Sequence, residues 1–388
     1  MVVAGHICLD IIPTFERAGS DWTEILVPGK LVHVGGAVTA TGGAVSNTGL
    51  ALHRLGFPTR LMGKVGDDLF GHAVLEILRG HHPALAEGML VTKEAPTSYT
   101  LVINPPGVDR MFLHCPGAND TFGWQDVPYG ELAGAWLFHF GYPPLMRRMY
   151  ANGGAELERL LRRVKELGVT TSLDMAKPDP ASAAGKVNWL EVLRRALPSV
   201  DVFMPSADEI LFMLDRQRYD AMGQDLGTHL DGALLSELSE QLLRMGTRMV
   251  ALKLGAEGLY LRTTDRITRL AGMGSCAPQG VRRWVGRELL APCFQVTVTG
   301  TTGSGDCTIA GFLAGLAEGL GPEETVTSAV AVGACNVEKA DATSGIPSWA
   351  EVQQRMRTKW ERGPTNLSLP GWEWDAESGV WRGPGDVR

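Results

Sequence analysis

Apolar residues along the chain follow two alternating patterns. Residues 2–12 form a β-rich apolar run that reads as one buried first strand. A helical segment follows, carrying Leu50, Leu52 and Leu55, with Ser46 and Asn47 as candidate caps and Gly56 as its stop. Residues 59–65 and 135–140 read as strands. In 155–167, Leu157, Leu160, Leu161, Val164 and Leu167 keep helical spacing, and Gly168 stands where a C-cap belongs. Residues 169–173, 200–204 and 249–254 are short apolar strands, each preceded by a helical segment. This alternation predicts a parallel sheet with helices on both faces.

Two stretches, 11–41 and 89–119, break the alternation. They are rich in Val, Thr, Gly and Pro and predict short strands that leave the main sheet and return as a small β-lid. Insertions are expected at about 215–235 and 271–290. The pattern assigns 1–360 to one domain and 361–388 to a Gly- and Pro-rich extension that packs Trp372, Trp374 and Trp381 on the core or a partner. Paired Asp67 and Asp68 read as turn-stabilising.

Composition narrows the classes. With 44% hydrophobic and 20% charged residues, the chain is not mostly disordered. Its 48 glycines in 388 residues predict tight turns and close approaches of backbone to a ligand. A net charge of −7 without a basic run argues against nucleic acid or an anionic membrane as a partner. The six cysteines have no CxxC spacing, and no signal peptide or membrane span is legible, so reduced thiols and a cytoplasmic location are expected.

The chemistry concentrates in 294–320. Residues 295–299 read as a strand, Gly300-Thr-Thr-Gly-Ser-Gly-Asp306 as a tight turn, and 307–316 as a helix. Such a turn converges backbone N–H groups at the positive end of a helix, which suits a phosphate. A Walker A loop is excluded because Gly-Asp-Cys stands where Gly-Lys-Ser/Thr is needed, and a dinucleotide fingerprint has Thr308 at its third glycine. A carboxylate beside phosphate needs a task. Asp306 reads as a general base for an attacking hydroxyl, or alternatively as a helix cap.

The turn and the following Thr308-Ile-Ala-Gly-Phe-Leu313 resemble the signature of the ribokinase-like (PfkB) carbohydrate kinases. So do Gly42-Gly-Ala-Val-Ser-Asn47, Gly63-Lys-Val-Gly-Asp-Asp-Leu-Phe-Gly71, Pro116-Gly-Ala-Asn119, the 201–209 segment and Val250-Ala-Leu-Lys-Leu-Gly255. Their order holds from about residue 1 to 355. The resemblance implies an α/β, three-layer α/β/α fold with a mostly parallel central sheet and a small β-lid. It implies Asp306 as catalytic base and Gly303, Ser304 and Gly305 as anion hole. Asp10, at the end of the first strand, Gly42, Gly43 and Asn47 would hold the acceptor. Lys253, Gly255, Thr301, Gly303 and Gly305 would meet ATP, and Glu209 would organise Mg²⁺.

The sequence departs from the family at three places. Gly300 replaces an acid tied to a monovalent-cation site, which counts against such a cation. Ser206 replaces an Asn near the metal, and Gly141 replaces the acid of ribose-specific members. The implied activity is ATP-dependent phosphorylation of a small sugar or sugar-like acceptor, with a homodimer through the lid. A nucleoside kinase is the alternative within the fold, since Phe15, Trp22, Tyr99 and Phe112 could stack on a base. A non-catalytic sugar- or nucleotide-binding pseudokinase is the alternative of another class.

Overall fold

The computed structural model describes residues 1–15, 27–104, 111–223 and 230–387. Trp22 and parts of the 11–41, 89–119 and 215–235 stretches lie outside them.

A ten-stranded sheet organises the chain. Its parallel part runs Arg60–Met62, Val2–Gly5, Leu137–Gly141, Thr170–Leu173, Val202–Phe203, Met249–Lys253. Leu259–Thr263, Glu288–Ala291, Val380–Arg382 and Glu373–Asp375 continue it antiparallel. Successive strand side chains leave opposite faces, and each face builds its own core. Val3, Leu137, Met249 and Leu289 pack with helices Ala44–Arg54, Leu69–His81, Ser304–Ala317 and Pro322–Val337. Val2, Phe138, Val250 and Leu290 pack with Arg147–Glu166, Trp189–Ala196, Ala207–Leu214 and Gly232–Met245. The expected three layers are therefore present. Among the described residues, no helix is long and apolar enough to cross a membrane.

The lid is a four-stranded sheet in the order Ala37–Gly42, Cys8–Pro13, Tyr99–Ile103, Met111–Cys115. Val38, Phe112 and Leu113 are exposed on it. Leu90–Thr92, expected in the lid, instead pairs with Lys64–Gly66 in a separate two-stranded sheet.

Several sequence expectations need correction. The apolar run 2–12 is two strands: Val2–Gly5 belongs to the central sheet, Gly5 turns at φ 122° against Gly141, and Cys8–Pro13 belongs to the lid. Likewise 59–65 divides between two sheets. Ser46 and Asn47 lie inside helix Ala44–Arg54, whose N-cap is Gly43. Residues 295–299 form no strand. Gln295 bonds Glu361 and Thr299 bonds Val337, single contacts rather than a ladder, and Val298 stays exposed.

Other features fall where the pattern puts them. The helix predicted at 155–167 is the regular part of Arg147–Glu166, after a break at residues 151–154, and Gly168 turns at φ 77° just beyond it. Asp68 caps helix Leu69–His81 through the amide of Gly71 at 2.8 Å. In the extension, Trp372 is buried against Tyr260 and Trp381 packs on the core, but Trp374, expected to pack there too, meets Trp381 across the terminal hairpin and stays exposed.

Candidate active site

Helix Ser304–Ala317 begins without a side-chain cap, after Gly303 in the left-handed conformation (φ 71°) that suits glycine. Such an end presents unsatisfied amides and positive potential. Asp306 is the third residue of the helix and is buried. Residue 300 sits so tightly that an added Cβ would lie 2.9 Å from the Cα of Ala340, which leaves no room there for the acid of the family pattern.

Thr301, Gly303, Ser304, Gly305 and Asp306 line a cleft of about 630 Å³. Its other walls are Tyr142, Met175–Lys177, Ser206–Glu209, Lys253 and Gly255, at the C-terminal ends of the parallel strands, where open α/β sheets bind ligands. Every residue expected to meet nucleotide or metal is thus on one cleft.

Three donors from distant parts of the chain converge on Asp306. Asn47 Nδ2 donates to Oδ2 at 3.0 Å, and Thr48 Oγ1 donates to Oδ1 at 3.3 Å. The Tyr142 hydroxyl reaches both oxygens, at 2.9 and 2.8 Å. Tyr142 is one of two non-glycine residues with positive φ (63°) among the described residues, a conformation costing roughly 1–2 kcal/mol. Burial first, and then the Asp306 charge, push its phenol well above the ordinary tyrosine value.

Lys253 runs beneath the turn, its Cδ 3.4 Å from where a Cβ of Gly305 would be, and its ammonium donates to Asp174 at 2.6 Å. Asp174 is fully buried and its second oxygen has no partner. Burial pushes Asp174 up; Lys253 pulls it back, while Glu209 and Asp306 push it further. Burial also works against the ammonium, but the acids outweigh it and hold Lys253 above its usual value. Glu209 caps its own helix through the amide of Ser206 at 2.7 Å, and burial raises it.

Asp10, Gly42 and Gly43 do not line this cleft. They lie where the lid meets the central sheet, joined to Asp306 through Asn47. Asp10 is the third residue of the lid strand Cys8–Pro13, not the end of the first strand, because the chain changes sheets at Gly5. It faces Gly42, where any Cβ would strike its carboxylate, and it accepts from Cys8 Sγ at 3.3 Å. Gly43 (φ 89°) is pressed against His6 in the same way. His6 contacts His114 through their Nε2 atoms at 3.4 Å, and its Nδ1 has no partner. Asn119 locks this junction by bonding both backbone groups of Ile7.

Sequence reasoning missed Tyr142, Thr48, Asp174, Lys177 and His6. The available signal was position: Tyr142 and Asp174 immediately follow parallel strands at the ligand-binding end.

Two buried histidines give the fold a pH dependence. His6 and His139 are 2% and 0% exposed, and burial lowers both to about 3. An unfolded imidazole titrates near ~6.5. Between those values the unfolded chain binds more protons, so stability rises with pH and falls on acidification. Each contributes a slope of about 1.4 kcal/mol per pH unit below ~6. Urea unfolding at pH 7 and 5.5 should show the loss, and His139→Gln should remove about half of it. Because burial also pushes Asp174 up and so acts with the opposite sign, the test is the difference: the same pH dependence in wild type and His139→Gln would refute neutral burial of His139.

Comparison with known proteins identifies the family and the fold. The pfkB family carbohydrate kinase profile matches residues 1–349. A 2-dehydro-3-deoxygluconokinase of Bacillus subtilis is 25% identical over 309 residues, covering 76% of this chain and 80% of that protein. Fructokinase-2 of Oryza sativa subsp. japonica is 24% identical over 360 residues, covering 89% and 93%. Among solved structures, Arabidopsis thaliana ribokinase complexed with ribose and ATP superposes with a TM-score of 0.67 at 18% identity, covering 92% of this chain and 98% of that one. With the profile spanning nearly the whole sheet and the glycine turn that carries Asp306, the chain belongs to the pfkB family of carbohydrate kinases.

Proposed function

We propose that the protein transfers the γ-phosphoryl group of ATP to a hydroxyl of a small sugar or sugar acid, with Asp306 as general base. The observation that carries this reading is a buried carboxylate in the first turn of an uncapped helix, facing a cleft large enough for a nucleotide. Asn47 and Thr48 hold the carboxylate in place. Asp306 takes the proton of the acceptor hydroxyl as its oxygen attacks phosphorus, and the 303–306 amides receive the charge that develops. Lys253 and Lys177 supply positive charge along the cleft. The acceptor sits between Asp10, Gly42, Gly43, Asn47 and the lid, which excludes water.

Among the described residues no group of three or more His, Cys, Asp or Glu side chains forms a metal cage. That fits Mg²⁺ held mainly by phosphates and water, with Glu209 and the unpartnered oxygen of Asp174 accepting from its waters. When bound, Mg²⁺ neutralises phosphate charge. Leu113, exposed on the lid face opposite Phe112 and Asp10, gives that outer face an apolar contact for pairing with a second lid.

ADP release should be followed with ATP and, in turn, D-fructose, 2-dehydro-3-deoxy-D-gluconate, D-ribose and nucleosides. A sugar or sugar acid should give the highest kcat/KM. Preference for a nucleoside would move the acceptor class. Thermal stabilisation by ATP without turnover on any of them would identify a binding protein instead.

A further inference from the structure

Tyr142 stands on the carboxylate proposed above as the base. Its phenol bonds both Asp306 oxygens, while Asn47 and Thr48 take one each. Asn47 and Thr48 come from helix Ala44–Arg54 and are fixed by it. Tyr142 comes instead from the strand end Gly141–Tyr142, ahead of Pro143 and Pro144, in a left-handed conformation that aims its ring into the cleft. The phenol carries one proton, so it donates to one oxygen at a time and shields both. With Asn47, Thr48 and the phenol all donating to it, the carboxylate keeps at most one acceptor site for a hydroxyl of substrate or water.

We propose that Tyr142 is a latch on the catalytic base: its hydroxyl covers Asp306 while the acceptor site is empty and yields when an acceptor hydroxyl displaces it. This rests on the kinase reading above. The latch answers a problem every such enzyme faces. ATP bound alone beside an exposed carboxylate would be hydrolysed: a water oxygen bonds the γ-phosphorus, its proton passes to Asp306, and the bond to the bridging oxygen breaks as ADP leaves with the electron pair. Shielding the carboxylate withholds the proton acceptor from water. A sugar, held at several hydroxyls by the Asp10 and Asn47 side of the site, can compete with the phenol where a lone water cannot. The ring of His6 lies 6.0 Å from that of Tyr142, so the acceptor side and the latch adjoin.

Tyr142→Phe keeps the ring, the backbone conformation and the packing, and deletes only the shielding hydroxyl. Hydrolysis of Mg-ATP without acceptor should rise about 10-fold, the scale of losing one competing hydrogen bond of about 1.4 kcal/mol. The acceptor that wild type phosphorylates best should bind the variant several-fold more tightly by calorimetry in the absence of nucleotide, because no phenol must be displaced. A merely structural tyrosine would give the opposite signs, with less hydrolysis and weaker binding. If wild type phosphorylates a sugar and Tyr142→Phe leaves acceptor-free hydrolysis unchanged or lower, the latch is refuted and the kinase reading stands. If wild type phosphorylates nothing in the panel, the kinase reading fails and the latch falls with it.

Discussion

Asp306→Asn should retain the fold and nucleotide binding while turnover falls by ~10²–10⁴-fold, the usual contribution of a positioned general base. The substitution preserves shape in a site whose residues are otherwise fixed by Asn47 and Thr48. Steady-state kinetics should therefore lose kcat with little change in nucleotide affinity, since the amides of the glycine turn are untouched. Melting temperature provides the control. The amide that replaces the carboxylate cannot serve as the base, but its carbonyl can still accept two of the three hydrogen bonds, so the donor set is strained rather than abolished. A variant that phosphorylates its acceptor at the wild-type rate would show that the proton leaves by another route.

Lys253→Met should be the most destabilising single change in the site, costing about 3–5 kcal/mol. That is the usual cost of removing one partner of a buried ion pair. The side chains of Lys253 and Asp174 are 13% and 0% exposed, and Glu209 and Asp306 also feel the ammonium. Methionine keeps the stem that passes under Gly305, so loss of packing is small and loss of charge dominates. Urea denaturation measures the cost. Adding Asp174→Asn to Lys253→Met should recover at least half of it, because the orphaned carboxylate is then gone. A cost under about 1 kcal/mol for the single variant would mean that the pair is not ionised in the folded protein.

How much of this was legible in the sequence depends on the range of the interaction. The layered fold, the helix at 155–166 and the anion-binding turn all follow from local spacing, which periodicity and glycine placement report directly. The split of 2–12 was not legible. Both halves are β-rich and apolar, and the break is set by the contact of Gly5 with Gly141, which lies across the sheet. The 295–299 segment shows the reverse error: its alternation suits a strand, but no neighbouring strand is placed to pair with it. The Lys253–Asp174 pair joins residues 79 apart, and the left-handed backbone of Tyr142 leaves no trace in composition. The short strands of the extension, three residues each, are defined by the sheet edge they join rather than by their own pattern.

The passage of one continuous segment from the central sheet into the lid has a mechanical consequence. His6 and Ile7 form the whole bridge between Val2–Gly5 and Cys8–Pro13, and Asn119 clamps Ile7 on both sides of its backbone. A tilt of the lid would therefore turn on His6, whose ring lies 6.0 Å from that of Tyr142. With Tyr142 as the proposed latch, closing over a sugar and uncovering the carboxylate would share one lever at His6.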